Sequence, residues 1–198
     1  MKPAYTRTRL TPAARRDQLL DVAKQAIAAY GLQAFTMEGL AKAAEVSAPL
    51  VYKYFASRQE LLQALLTREY HAFVADAMQM ALQATNFEEI VRAAVTSNFD
   101  HHAPGSVLPV LLNQQEVASA IAGERKKHSG QNARFLVDAV AGSYHLTRNQ
   151  AQLAISMSSG ASIAAAELAV NAGLNREETI EMVVAYIISG IERIAGHA

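Results

Sequence analysis

The amino-acid sequence predicts an all-α protein of about nine helices, with a small three-helix head carrying a helix-turn-helix and a larger helical domain behind it. Three observations carry this. Apolar residues recur at helical spacing along the chain, and no stretch alternates as a strand would. Between Thr36 and Phe55, two short helical patterns flank a tight turn. Between Thr147 and Ala195, two long apolar helical patterns close the chain. A capping signal at Ser57 sets the boundary, giving segments 1–56 and 57–198.

The apolar fraction of 51% over 198 residues is enough for a proper core. There is no cysteine, so disulfides and thiolate metal sites are excluded and a cytoplasmic setting is expected. The start, MKPAYTRTRL, is basic but no apolar segment follows, unlike a signal peptide. The longest apolar run, Met182 to Ile191, is too short for a bilayer, so no membrane partner is expected. Net charge is zero, yet its distribution is uneven. Residues 1–71 hold 10 Lys/Arg against 6 Asp/Glu, a balance of +4, and residues 72–198 hold 8 against 12, a balance of −4. A basic head on an acidic body is the asymmetry of a nucleic-acid reader, and chance scatter of surface charge is the plain alternative.

Taken in order, residues 1–11 form a basic arm in which Arg7 and Arg9 are candidates for a minor groove, against a simple solvated tail. The first helix runs from Pro12 to Tyr30, with Leu19, Ala23, Ala26 and Tyr30 on one face and Gly31 ending it. Thr36 caps the second helix, which presents Met37, Leu40, Ala41 and Ala44 at helical spacing. Ser47 caps the third, with Pro49 in its first turn, where a missing N–H costs nothing. Val51 and Phe55 anchor this third helix to the second, which leaves Ala48, Leu50, Lys53 and Tyr54 pointing outward. Tyr52, between the two anchors, is expected to be partly buried and Tyr54 exposed. Ser57 and Glu60 form a capping box opening a long helix to Gln83, shared by both domains.

Further helices are expected over 87–101, 107–122 and 131–142, with a break at His102–Ser106 and a kink or loop over Gly123–Gly130. Thr147 with Gln150, and Asn175 with Glu178, open the last two helices, and Gly173 separates them. Both are apolar nearly all round, so each must be buried on two sides, by a plain core or by a second subunit.

The stretch carrying Arg16, Leu19, Leu20, Asp21 and Ala23, then Gly31, Thr36, Met37, Leu40, Ala41, Ala43 and Ala44, then Val46-Ser47, Val51, Tyr52, Tyr54, Phe55, Ser57, Arg58 and Leu61 resembles the DNA-binding domain of the TetR (tetracycline-repressor-like) transcriptional regulators. The match covers about a quarter of the chain. It departs from the family at Glu45, where a turn glycine is usual and a left-handed backbone costs roughly 1 kcal/mol. It departs again at Ala48-Pro49-Leu50, which replaces x-Gly-Thr, and at Ala26, where a larger apolar residue is usual.

The resemblance implies double-stranded DNA as partner, a homodimer built on the last two helices, and a small-molecule effector of unknown identity with no other cofactor. Lys53, Tyr54 and Arg58 are the expected phosphate contacts, Arg58 beside the free N–H groups that open the long helix. Thr36 and Ser47 are caps first, and the family also uses such hydroxyls on phosphates. Ala48, Pro49 and Leu50 offer only apolar contact, for example to a thymine methyl. With Tyr52, these complete the expected DNA surface.

For a ligand pocket, polar residues within apolar rows are candidates: Asn98, Gln114 and Asn132, with Phe135 beside it and His102 a looser choice; a satisfied buried amide is the plain alternative. For the dimer surface they are Ile155, Ser159, Ser162 and Ala166, then Val183, Tyr186 and Gly190. Adjacent His101 and His102 diverge and lack an i+4 partner, so no metal site is expected. No nucleophile elbow, phosphate loop or carboxylate pair points to catalysis. The expected function is a ligand-responsive DNA-binding regulator, most simply a repressor acting on a pseudo-palindromic operator. The rivals are a sequence-indifferent architectural DNA binder and an all-helical ligand carrier or enzyme with a degenerate head.

Overall fold

The computed structural model describes residues 10–196, and among these every regular element is helical. The α-helices are α1 (Pro12–Tyr30), α2 (Met37–Ala43), α3 (Ala48–Tyr54), α4 (Arg58–Gln83), α5 (Phe87–His102), α6 (Leu108–Leu112), α7 (Gln115–Ala118), α8 (Ala122–Tyr144), α9 (Arg148–Ala172) and α10 (Arg176–Ala195). Short 3-10 turns at Leu32–Ala34 and Ser119–Ile121 precede α2 and α8.

Most helix starts follow local chemistry. Thr11, Thr36, Ser57, Asn86, Thr147 and Asn175 each accept a hydrogen bond from a first-turn N–H. Ser47 does not. Pro49 removes the N2 donor, and the Leu50 N–H goes to the Ser47 carbonyl at 3.0 Å. The expected 107–122 helix is broken at Asn113-Gln114 into α6 and α7. The expected break over Gly123–Gly130 is instead the first part of α8. Interior glycines cost a helix roughly 1 kcal/mol each. Here contacts with α4 hold the segment: Tyr70 stacks on His128 at 5.9 Å between centroids, and His71 pairs with Glu124 at 2.7 Å.

Two cores are present. One joins α1–α3 to the first turns of α4 through Leu19, Leu20, Leu40, Val51, Phe55, Leu61, Leu62, Leu65 and Leu66. The same core takes in Val107, Leu108, Leu111, Val117 and Ile121, so the α6–α7 segment packs with the head although it follows α5 in the chain. Tyr30, expected on the buried face of α1, is 79% exposed beyond that core. The second core lies between α5, α8, α9 and α10. Ion pairs Lys24–Glu69 at 2.6 Å and Arg68–Asp21 at 2.8 Å fix α1 along α4. α9 is long and apolar enough to cross a membrane by length and composition, with its serines and alanines interspersed rather than in one run. Its inner face packs in the second core.

Candidate nucleic-acid interface

The α2–α3 turn is built on Glu45. Its φ of 53° is left-handed, and it lets the Val46 N–H reach back to the Ala41 carbonyl at 2.9 Å. Behind the turn, Met37, Leu40 and Ala41 of α2 and Val51 of α3 are buried, which fixes the two helices as one unit. α3 then presents Pro49, Tyr52 and Lys53 to solvent, with Ala48, Leu50 and Tyr54 half-buried. Thr36 and Ser47 are exposed at the two helix starts.

The tyrosines exchange their expected roles. Tyr54 packs against the head core beside Val51 and Phe55, whereas Tyr52 is 44% exposed. Residues 51, 54 and 55 share a helical face, and residue 52 is turned about 100° from it, whatever its neighbours in sequence. The Tyr52 hydroxyl donates to Glu38 of α2 at 3.2 Å. Desolvation and the Glu38 carboxylate raise its pKa, so it stays a donor.

Arg58 also differs from expectation. Its Nε donates to the Phe35 carbonyl at 3.0 Å and Nη2 to the Leu32 carbonyl at 2.7 Å, with the guanidinium over the Phe35 ring. Two of its three nitrogens thus tie the 3-10 turn to the start of α4, which makes Arg58 a positioning residue. The α4 start keeps its cap: Ser57 Oγ accepts from the Glu60 N–H at 3.1 Å, and Glu60 accepts from the Ala56 N–H at 2.8 Å. Lys42, in the last turn of α2, is exposed beside the turn and was missed by sequence reasoning. The signal for it was available, as a basic residue flanking the turn. Among the described residues neither Lys42 nor Lys53 forms an ion pair, and both are exposed. Arg7 and Arg9 lie outside the described residues.

In the body, Asn98 of the five expected pocket residues lines the cavity between α5, α8, α9 and α10, where its Nδ2 donates to Ser162 Oγ at 2.9 Å. His102 sits one turn on, with Nδ1 2.9 Å from the Asn98 carbonyl and Nε2 3.6 Å from Glu167. Gln114 is exposed in the α6–α7 break, and Asn132 and Phe135 are exposed on α8, because continuity of that helix turns Leu136, Val137 and Val140 inward instead. Beside His102, the Nδ1 atom of His101 is buried with no hydrogen-bond partner. Burial, His102 and Arg125 lower the His101 pKa to about 4.

Most of the residues expected at the dimer surface face inward within the chain. Ile155, Ser162 and Ala166, with Val183 of α10, are buried within the chain, and Ser159 lines the cavity. Tyr186 and Gly190 are exposed as expected. The outer row of α9 is Leu153, Met157, Ala164 and Leu168, matched on α10 by Met182 and Tyr186. The large side chains of that set are 53–71% exposed.

Residues 19–65 match the sequence model of the family described as bacterial regulatory proteins, tetR family. The matched residues span the head from α1 into the start of α4. The chain is 36% identical over 92 residues to the HTH-type transcriptional activator FasR of Mycolicibacterium smegmatis, covering 46% of this chain and 42% of that protein. It is 30% identical over 93 residues to the HTH-type transcriptional regulator LuxR of Vibrio harveyi, covering 45% of each. The aligned part thus spans under half the length of these relatives. The whole fold resembles a TetR-like transcriptional regulator from Rhodococcus sp. RHA1, with a TM-score of 0.70 at 22% identity over 92% of this chain and 98% of that one. It also resembles the fatty acid degradation regulator FadR of Bacillus halodurans, with a TM-score of 0.63 at 21% identity over 91% and 96%. The sequence match is thus confined to the head and the start of α4, and the likeness of fold extends over the body.

Proposed function

We propose that the chain is a homodimeric, sequence-specific DNA-binding transcriptional regulator, a repressor released from a pseudo-palindromic operator by a small molecule. The observation that carries this is the exposed α3 surface of Pro49, Tyr52 and Lys53, held by the buried face of α2 in a head that matches the tetR family model. Two heads place their α3 helices in successive major grooves. Lys53, Lys42 and the α4 start take phosphates, and Tyr52, Pro49 and Leu50 meet base edges and methyl groups. Base reading by so few polar groups makes DNA shape part of the recognition.

Exposed large apolar side chains in one row are unusual on a monomer. The outer rows of α9 and α10 support a dimer made by pairing these helices. A ligand between α5, α8, α9 and α10 would act on the head through the end of α5, which leads into the α6–α7 segment packed in the head core. A population shift of a few kcal/mol is sufficient for release. The protein acts on DNA in the cytoplasm, without enzymatic activity.

The test is fluorescence anisotropy with the duplex upstream of this protein's own gene against a scrambled duplex, at about 150 mM salt. Preference for the native duplex is the expected result. Equal tight binding to both would point to an architectural role, and no binding to any genomic fragment would remove DNA as the partner. A transcription assay from the same promoter decides the sign of regulation, and activation on addition of protein would overturn repression.

A further inference from the structure

A cavity of about 340 Å³, its open mouth included, lies between α5, α8, α9 and α10. Its apolar walls include Val91, Val95, Leu136, Ile155 and Ile187. No acidic, basic or histidine side chain lines it. A charged ligand would lose its hydration there against no counter-charge, at a cost of several kcal/mol. Carboxylates, phosphates and ammonium groups are therefore poorly suited to it. The polar groups gather on one side, where Asn98 of α5 faces Ser158, Ser159 and Ser162 of α9. Asn98 Nδ2 is already committed to Ser162. Its Oδ1 is left as an acceptor, with the Ser158 and Ser159 hydroxyls beside it as rotatable groups. That set suits one hydroxyl or one carbonyl. Only about 40 Å³ of it is free interior room, so a small molecule would seat its polar end there and lay its apolar part along the open mouth.

We propose that this cavity takes a small, uncharged, mostly apolar molecule bearing a single hydroxyl or carbonyl, received by Asn98 and the α9 serines. This rests on the effector reading above and names the chemistry of its ligand. Binding there meets Asn98, whose carbonyl pairs with His102 one turn nearer the α5–α6 connection, so the occupant touches the element that leads to the head core.

The test is isothermal titration of the full-length chain with 1-octanol, octanoate and octylammonium at pH 7.5. The expected result is one 1-octanol per chain, with both ions at least tenfold weaker. Asn98→Leu keeps the volume and removes the polar atoms, and it should weaken 1-octanol at least fivefold. The paired change Ser158→Ala with Ser159→Ala should do so more mildly, and it serves if Asn98→Leu loses its helical circular dichroism. Three results would overturn the assignment: either ion binding as tightly as 1-octanol, no loss of 1-octanol affinity in the folded variants, or no heat from any of the three probes. The same titrations repeated on the DNA complex separate the two readings. Bound 1-octanol that leaves DNA affinity unchanged supports the cavity assignment and removes this site as an effector site. Release of DNA by octanoate but not by 1-octanol keeps the effector reading and overturns the neutral-ligand assignment.

Discussion

The head and the body differ in what their side chains are left to do. In the head, Leu19, Leu20, Val51, Phe55, Leu61 and Leu65 are fully buried, and Arg58 and Tyr52 already have partners. The body keeps a cavity, a buried His101 nitrogen without a partner and a row of exposed apolar side chains. A surface that reads a fixed duplex is best when its geometry is set before contact, because ordering it on binding would subtract from affinity. On the function proposed above, the body's cavity and exposed row are the parts that another molecule completes.

The strongest way to break this contrast is to charge the outer face of the body. Met157→Glu with Leu168→Glu should convert a dimer to a monomer of half the mass by light scattering, with helical content kept and DNA affinity reduced by about 100-fold or more as one half-site is lost. A variant that remains dimeric would place the interface elsewhere.

Next in size, the head distinguishes two cations that the sequence treated alike. Arg58→Ala removes two hydrogen bonds to backbone carbonyls and should lower stability by about 2 kcal/mol in urea melts, with little change in the salt dependence of DNA binding. Lys53→Ala should leave the melt unchanged, weaken binding to all sequences and reduce the salt slope by about one. The opposite assignment of effects would return Arg58 to the phosphates.

His101 gives a smaller, pH-dependent effect. It faces Phe73 of α4 and lies near Arg125 of α8 and the adjacent His102. Its folded pKa of about 4 lies below the ordinary 6.5, so the folded protein takes up its proton later than the unfolded chain. The stability it contributes is complete above about pH 6.5 and is lost as pH falls toward 4. Melting temperatures should fall between pH 7 and pH 5, and His101→Phe should flatten part of that fall. Equal slopes in both proteins would contradict the assignment.

The smallest effect is at the turn. Glu45→Gly relieves a left-handed φ worth about 1 kcal/mol, offset by the greater freedom of glycine in the unfolded chain. A slight rise in melting temperature is expected, and a clear fall would mean that contacts of the Glu45 side chain outweigh the strain.

Much of the fold was legible in the sequence because it is written locally. The caps at Thr36, Ser57, Thr147 and Asn175 and the helix ends at Gly31 and Gly173 stand where their residue types place them, and the left-handed turn at Glu45 stands where the family resemblance, not its residue type, placed it. What was not legible depends on tertiary contacts. α8 runs through Gly123 and Gly130 because α4 holds it, and Arg58 turns toward carbonyls supplied by a loop more than 20 residues earlier. The tyrosines of α3 were assigned by sequence adjacency, which does not set a helical face. On α9 both faces are apolar, and it is the smaller-residue face, with Ala151, Ser162 and Ala166 and the Ser162–Asn98 pairing, that turns inward while Leu153, Met157 and Leu168 face out. The exposed face of the head was therefore placed on α3, whereas of the expected pocket residues Asn98 lines the cavity and Gln114, Asn132 and Phe135 face solvent.

The central claim is that two heads of one dimer read two adjacent turns of the same face of a duplex. Hydroxyl-radical footprinting on the upstream duplex tests it directly. The account predicts two protected patches related by a dyad, centred one helical turn or a small multiple of it apart, about 34–36 Å per turn, with guanine N7 accessibility reduced in both major grooves. Continuous protection without a dyad, or a single patch at saturating protein, would contradict it.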